Sequence, residues 1–186
     1  MKNNSKIKTL EPPGGILIWI VIFVELMTFG IALIFFLLNG KENQSLYHAS
    51  ALQLNKSLAF VNTIVLLTSG YTMAEAIRFL KKSMMNKFKM YTLSTILLGV
   101  LFIVIKFIEY YTKFQHNISF NSNSFFSYYF MLTGFHLLHV IFGLVLLSYF
   151  YFSYNKKNED IEATAAFWHM CDLIWLLIFP VIYLIF

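Results

Sequence analysis

Residues 131–147 read MLTGFHLLHVIFGLVLL. The run is almost wholly apolar, and with its flanks it reaches the ~20 residues that cross ~30 Å of hydrocarbon. Yet His136 and His139 sit near its middle, three residues apart, on one face of any helix the run forms. An imidazole there must ligate a metal, carry a proton or bond a neighbouring helix.

The rest of the chain has the same character. Of its 186 residues 59% are hydrophobic and 12% charged, about half the charged share of a soluble domain, roughly 25%. Mean hydropathy is +0.67. Five apolar stretches are near membrane-spanning length: about 15–38, 57–80, 90–112, 125–152 and 167–186. Backbone groups find no water in lipid, so each stretch is expected to be α-helical. The predicted fold class is all-α, an integral membrane bundle of five transmembrane helices. A soluble helical protein would need polar stripes, which the first, fourth and fifth stretches lack. The single cysteine, Cys171, excludes an internal disulfide and a multi-cysteine metal site.

The first span is too long for a cleavable signal and no A-x-A-like site follows it; Asn39-Gly40 is expected to end it. Residues 1–14, including EPPG, read as a lead-in whose prolines cannot extend a helix backwards, and residues 15–186 as the membrane domain. Five spans put the termini on opposite sides. Lys2, Lys6, Lys8, Arg78, Lys81, Lys82, Lys87, Lys89, Lys156 and Lys157 fall on one side, and only Lys41, Lys56 and Lys113 on the other. The positive-inside rule makes the lysine-rich side, with the N-terminus, cytoplasmic and puts Phe186 outside. Basic residues at membrane edges suit lipid anchoring and argue against nucleic-acid binding. No internal repeat supports a secondary transporter.

Charged side chains in the bilayer are costly, roughly 2.5–3.5 kcal/mol at the centre of a lone helix. Glu25, Glu75, Glu109 and Asp172 lie within the spans, so each needs a partner, a neutral form or a shallow depth. Glu25 lies close to mid-bilayer, and His139 is at a depth where the two could meet. A bond to a neighbouring helix, a proton relay and a lipid-headgroup contact all remain open for Glu25. Glu75 with Arg78, and Lys106 with Glu109, have the i,i+3 spacing of helix-end ion pairs. Two histidines at i,i+3 have ligand spacing, but no E-x-x-H pattern accompanies them. The one candidate to face them across a haem, His169, falls near the inner end of the fifth span, too shallow. Interhelical hydrogen bonds therefore fit best. Asn62, Thr63, Ser69 and Gly70 mark the second span as packed on several sides, Gly134 and Gly143 leave a groove beside the histidines, and Trp168, Trp175 and Tyr183 mark the ends and middle of the fifth.

The motifs add a family. TGFHLLHVIFG (133–143), FWHMCDLIWLLIFPVIYL (167–184), NTIVLLTSGYTM (62–73), GVLFIVIKFIEYY (99–111) and FVELMTF around Glu25 together resemble subunit III of haem-copper oxidases of the cytochrome c oxidase type, in a short five-helix form lacking the first two helices of the long one. Leu137 stands where the family usually has glycine, and Lys106 where glutamine is common. The resemblance implies a non-catalytic subunit with no cofactor of its own. Haems and copper would be held by partner subunits I and II, and phospholipid would bind in the bundle's cleft. Glu25, Glu109, His136, His139, His169 and Asp172 match the family's buried polar positions. The implied place is the inner membrane of a bacterial cell, in a multi-pass arrangement, where the complex reduces oxygen and pumps protons. Rival readings are a five-helix accessory protein of a nitric oxide reductase and an independent proton channel.

Overall fold

The structure is a computed structural model, and it describes residues 14–152 and 158–186. Lys2, Lys6, Lys8, Lys156, Lys157 and the lead-in up to residue 13 lie outside the described residues. Among those described the chain is all-helical: α1 (Ile16–Glu42), α2 (Gln44–Ala51), α3 (Lys56–Lys81), α4 (Met85–Gln115), α5 (Ser124–Phe152) and α6 (Asn158–Tyr183). All but α2 are long and apolar enough to cross a membrane. At about 1.5 Å per residue the shortest, with 26 residues, exceeds the ~30 Å of hydrocarbon.

The helix ends are set by local chemistry. Asn55 caps α3 by accepting from Leu58 N at 2.9 Å, and Asn123 accepts from Phe126 N at 2.9 Å as α5 begins; both satisfy amide groups with no partner in the helix. Ser83, at φ 58°, closes α3: Ser83 N donates to Leu80 O and Met84 N to Phe79 O. Asn117, also at φ 58°, closes α4 by the same pair of bonds, Asn117 N to Phe114 O and Ile118 N to Lys113 O. This is a left-handed helix cap built without glycine.

Two boundaries and one additional helix depart most from the sequence reading. Asn39-Gly40 does not end the first helix, which runs on to Glu42. Gly40 is instead a contact point: a Cβ there would lie 2.4 Å from Phe186 Cζ and 2.8 Å from Tyr47 Cδ1. The helix α2 was not expected; its Tyr47 is fully buried between Phe36, Phe125 and Phe186. Finally, α6 begins at Asn158 rather than near 167. Hydropathy undercounts it because its first turns carry Asn158, Glu159, Asp160 and Glu162.

The helix α6 is the centre of the bundle, packing on α1, α3 and α5, while α3 and α4 form the most extensive pair. Gly14 abuts Ala163 near the start of α6, and Gly40 abuts Phe186 just past its end; α1 and α6 therefore run the same way. The outer faces are apolar: Leu17, Leu97 and Leu138 are each more than half exposed, as suits a lipid solvent. Trp168 wedges α6 against the others. It is fully buried, and the notch that admits it is made of glycines: a Cβ on Gly99 would lie 2.7 Å from its Cη2, and one on Gly143 2.9 Å from its Cε3. Gly134 plays no such part, since a Cβ there would meet only the Tyr110 hydroxyl at 3.9 Å.

Overpacking a tight core costs typically 1–3 kcal/mol. Gly99→Leu is expected to lower the midpoint of thermal unfolding in detergent by several degrees, whereas Gly30→Leu, where a Cβ meets nothing within 4 Å, leaves it unchanged. Equal midpoints for the two variants would contradict this packing.

Candidate functional site

Four clusters of polar side chains stand at helix contacts. The most enclosed joins α4, α5 and α6. Lys106 and Glu109 are 1% and 2% exposed, with Nζ 2.9 Å from Oε2. Lys106 Nζ also donates to the Tyr183 hydroxyl oxygen at 3.0 Å. Glu109 Oε1 accepts from the hydroxyls of Tyr129 at 2.9 Å and Tyr183 at 2.8 Å. The rings of Tyr110, Tyr129, Trp175 and Tyr183 lie 5.1 to 5.7 Å from the ammonium, close enough for cation–π attraction. Seven residues on, Lys113 is also buried and donates to Gln53 O. These positions do not let the ammonium snorkel to an interface; the charge is neutralised where it stands.

The second cluster is on α5 and α1. His139 Nδ1 donates to Phe135 O at 2.9 Å, so Nε2 is the nitrogen presented to Glu25 Oε2, at 3.3 Å. Beyond this approach Glu25 Oε2 has no hydrogen-bond partner among the described residues. Phe29, Phe135 and Phe167 wall the imidazole. His136 is not part of this pair. It is fully buried, stacked on Trp175 with centroids 5.3 Å apart and edge-on to Phe102. Neither ring nitrogen has a hydrogen-bond partner among the described residues. The histidines share a helix face but are directed to different neighbours.

The third cluster fixes α6 on α3. His169 Nδ1 lies 3.4 Å from Asp172 Oδ2. Asp172 sits directly over Gly70, where a Cβ would come 2.1 Å from Oδ2. Nearby, Trp168 Nε1 donates to Ser69 Oγ at 3.2 Å, Ser69 Oγ donates to Thr95 O, and Trp175 Nε1 donates to Thr63 Oγ1 at 2.9 Å. His169 lies eleven residues into α6. Tyr183 is the last residue of α6, while Trp168 lies ten residues inside its start; Trp168, Trp175 and Tyr183 are all buried polar-tipped core residues. The fourth cluster is at the charged helix ends: Glu75 and Arg78 pair at 3.1 Å with the guanidinium mostly exposed, worth little in isolation, and Lys81 pairs with Glu162 across α3 and α6 at 3.1 Å.

Comparison with known proteins bears on the same segments. The family model for cytochrome c oxidase subunit III matches residues 47–185. The chain belongs to the cytochrome c oxidase subunit III family. It is 30% identical to cytochrome c oxidase subunit 3 of Corynebacterium diphtheriae over 196 residues, covering 100% of this chain and 95% of that one. It is 36% identical to the Rattus norvegicus subunit over 129 residues, 66% of this chain and 48% of the rat protein. It is 32% identical to the cytochrome bo(3) ubiquinol oxidase subunit 3 of Buchnera aphidicola over 136 residues, 70% of this chain and 72% of the relative. The chain thus spans about half the length of the mammalian relatives it matches and nearly all of the actinobacterial one. These names do not favour the nitric oxide reductase or free-standing channel readings.

The matched span contains five of the six polar candidates and leaves Glu25 outside it; Glu109, His136 and Asp172 are buried, whereas Glu25, His139 and His169 are partly exposed. At the two departures from the family pattern, Leu137 is a buried packing residue and Lys106 is the cation of the enclosed ion pair. Among the described residues no group of three or more His, Cys, Asp or Glu side chains converges on a point where a metal could be held. What the geometry offers is carboxylate–cation and carboxylate–imidazole pairs, of which Glu25–His139 and Lys81–Glu162 join different helices. Tyr129 and Tyr183 complete the Glu109 site. Sequence reasoning missed them as ligands, since a tyrosine in an apolar run gives no sign of the direction of its hydroxyl.

Removing one member of a buried ion pair costs about 3–5 kcal/mol because the other charge is stranded. Lys106→Met is therefore expected to lower stability strongly, and Lys106→Gln with Glu109→Gln to recover most of the loss. Denaturant titration of the purified chain reads both; a single variant as stable as the parent would remove the ion pair from the account.

Proposed function

We propose that this chain is a non-catalytic subunit III of a bacterial haem-copper terminal oxidase. It holds a place beside the large subunit, and haems and copper are carried by subunits I and II. It resides as a multi-pass protein in the inner membrane, N-terminus in the cytoplasm. The observation that carries the reading is the family match over 47–185, extended by the near full-length actinobacterial relative. The lysine distribution supports the orientation.

The chain's contribution is that of a scaffold. Glu25, Glu109, His136, His139, His169 and Asp172 serve to hold the bundle and its neighbours, and Glu75 with Arg78 to fix the inner end of α3. A proton held between Glu25 and His139 lies near the surface of α1, where it can assist proton uptake by the complex. Phospholipid is the second partner. A groove of about 240 Å³ between α1 and α5, lined by Thr28, Phe29, Ala32, Met131, Leu132 and Phe135, is apolar, as an acyl chain requires. It begins one turn from Glu25.

Affinity purification of the tagged chain in mild detergent is expected to bring down a larger polypeptide and a haem spectrum that stays with that polypeptide when this subunit is stripped away. A chain that purifies alone and conducts protons in vesicles would overturn the proposal. Glu25→Ala is expected to leave insertion intact while reducing retained phospholipid or loosening the subunit. Unchanged subunit content, lipid content and inactivation during turnover would refute the role given to Glu25.

A further inference from the structure

The helices α3, α4, α5 and α6 form a closed ring, each packed on the next and α6 on α3. One core layer inside the ring takes a side chain from each helix: Asn62, Phe102, His136 and Trp175, all 0% to 1% exposed. His136 stacks on Trp175 and meets Phe102 edge-on at 5.8 Å. Phe102 in turn meets Trp175 edge-on at 5.0 Å. Asn62 Nδ2 donates to Phe102 O at 3.4 Å, longer than a well-seated hydrogen bond. The two polar members, Asn62 and His136, come from opposite helices of the ring, and the core of such a ring is where helical bundles hold ligands.

Two acceptors in this layer lack a donor. A neutral imidazole carries one N–H and one bare nitrogen. Neither ring nitrogen of His136 has a hydrogen-bond partner among the described residues, and neither has Asn62 Oδ1. An N–H can rest weakly against an aromatic face, but the bare nitrogen and the carboxamide oxygen need a donor. The donors nearby are engaged elsewhere. Thr63 Oγ1 donates to Ala59 O at 2.8 Å and Trp175 Nε1 to Thr63 Oγ1 at 2.9 Å. Lys106 Nζ is turned to Glu109 and Tyr183. Burial closes the layer to lipid and to neighbouring chains, so the missing partner is small enough to sit inside a packed core. Among the described residues no set of metal ligands converges here. A neutral molecule with two donors and little volume meets the need, and buried water commonly serves polar groups left in this state.

We infer that this layer is an internal hydration site, in which water donates to the bare nitrogen of His136 and to Asn62 Oδ1. The bridge ties α5 to α3 across the ring, where the two helices stand on opposite sides. It gives His136 a task separate from the Glu25–His139 contact: its imidazole is a water ligand. The long bond from Asn62 Nδ2 fits a carboxamide held between Phe102 O and that water. The inference does not depend on which complex the chain joins.

Radiolytic footprinting of the full chain in lipid nanodiscs tests it. X-rays make hydroxyl radicals from water, and a radical made at a bound water attacks the side chains beside it. Phe102 and Phe36 are both 0% exposed, but Phe36 is walled by the rings of Tyr47, Phe125, Tyr128 and Phe186. Phe102 is expected to gain oxygen at least tenfold faster than Phe36, as read by mass spectrometry of the digested chain. Equal rates overturn the inference. The double variant His136→Phe with Asn62→Leu removes both acceptors, and its rate at Phe102 is expected to fall to that of Phe36. A rate at Phe102 that stays at the parental value shows that these groups hold no water, and overturns the inference as well. The unfolding midpoint reports whether the double variant is folded; should it misfold, the parental comparison of Phe102 with Phe36 decides alone.

Discussion

The Lys106 ammonium and the Glu109 carboxylate stand 2.9 Å apart where α4, α5 and α6 meet, nearly sealed from the surroundings. Neither water nor lipid can satisfy them, so their partners must be protein. Tyr129 reaches in from α5 and Tyr183 from α6. Breaking the relation of any two of these helices would leave a charge or a hydroxyl alone in a low-dielectric interior, which costs far more than the contact itself contributes. The same constraint runs through the bundle: the tryptophans and tyrosines drawn into the core bring polar tips, which end on a hydroxyl or carboxylate of another helix or, for Tyr47, on the amide oxygen of Asn39.

Between membrane helices there is little hydrophobic drive to associate, because lipid tails are as apolar as leucine. Shape and hydrogen bonding must do the work. Trp168 shows both at once. Its ring fills a notch between Gly99 and Gly143, gaining close contact with α4 and α5, and its indole nitrogen bonds Ser69 on α3. Gly70 does for Asp172 what those glycines do for Trp168. Glycine here serves closeness of approach within helices rather than turns between them, and for that reason Gly40 did not end α1.

The scaffold role proposed for the chain agrees with this economy of polar groups. Carboxylates and imidazoles are distributed in pairs over separate helix contacts, with His136 and His139 sent to different neighbours although they share a face. Where a pair is closed on itself, as at Glu109, the interior is fixed. Where it reaches the surface, as at His169, the imidazole is partly exposed while its carboxylate stays buried.

Five membrane helices and the residues at risk inside them were legible in the sequence, because hydrocarbon imposes a length, an apolar content and a price on every charge that can be counted residue by residue. The meeting of Glu25 with His139 was legible too, from depth alone. The start of α6 was not, since its first turns are polar and hydropathy cannot distinguish a helix that emerges from the bilayer from a loop. Nor was the small helix α2, whose eight residues are held by Tyr47 packing on distant rings. Whether a tyrosine faces lipid or Glu109, and whether a tryptophan marks an interface or fills a glycine notch, depends on rotation about the helix axis. Neighbouring helices set that rotation through contacts many tens of residues apart in the chain, so the tertiary structure alone could decide it.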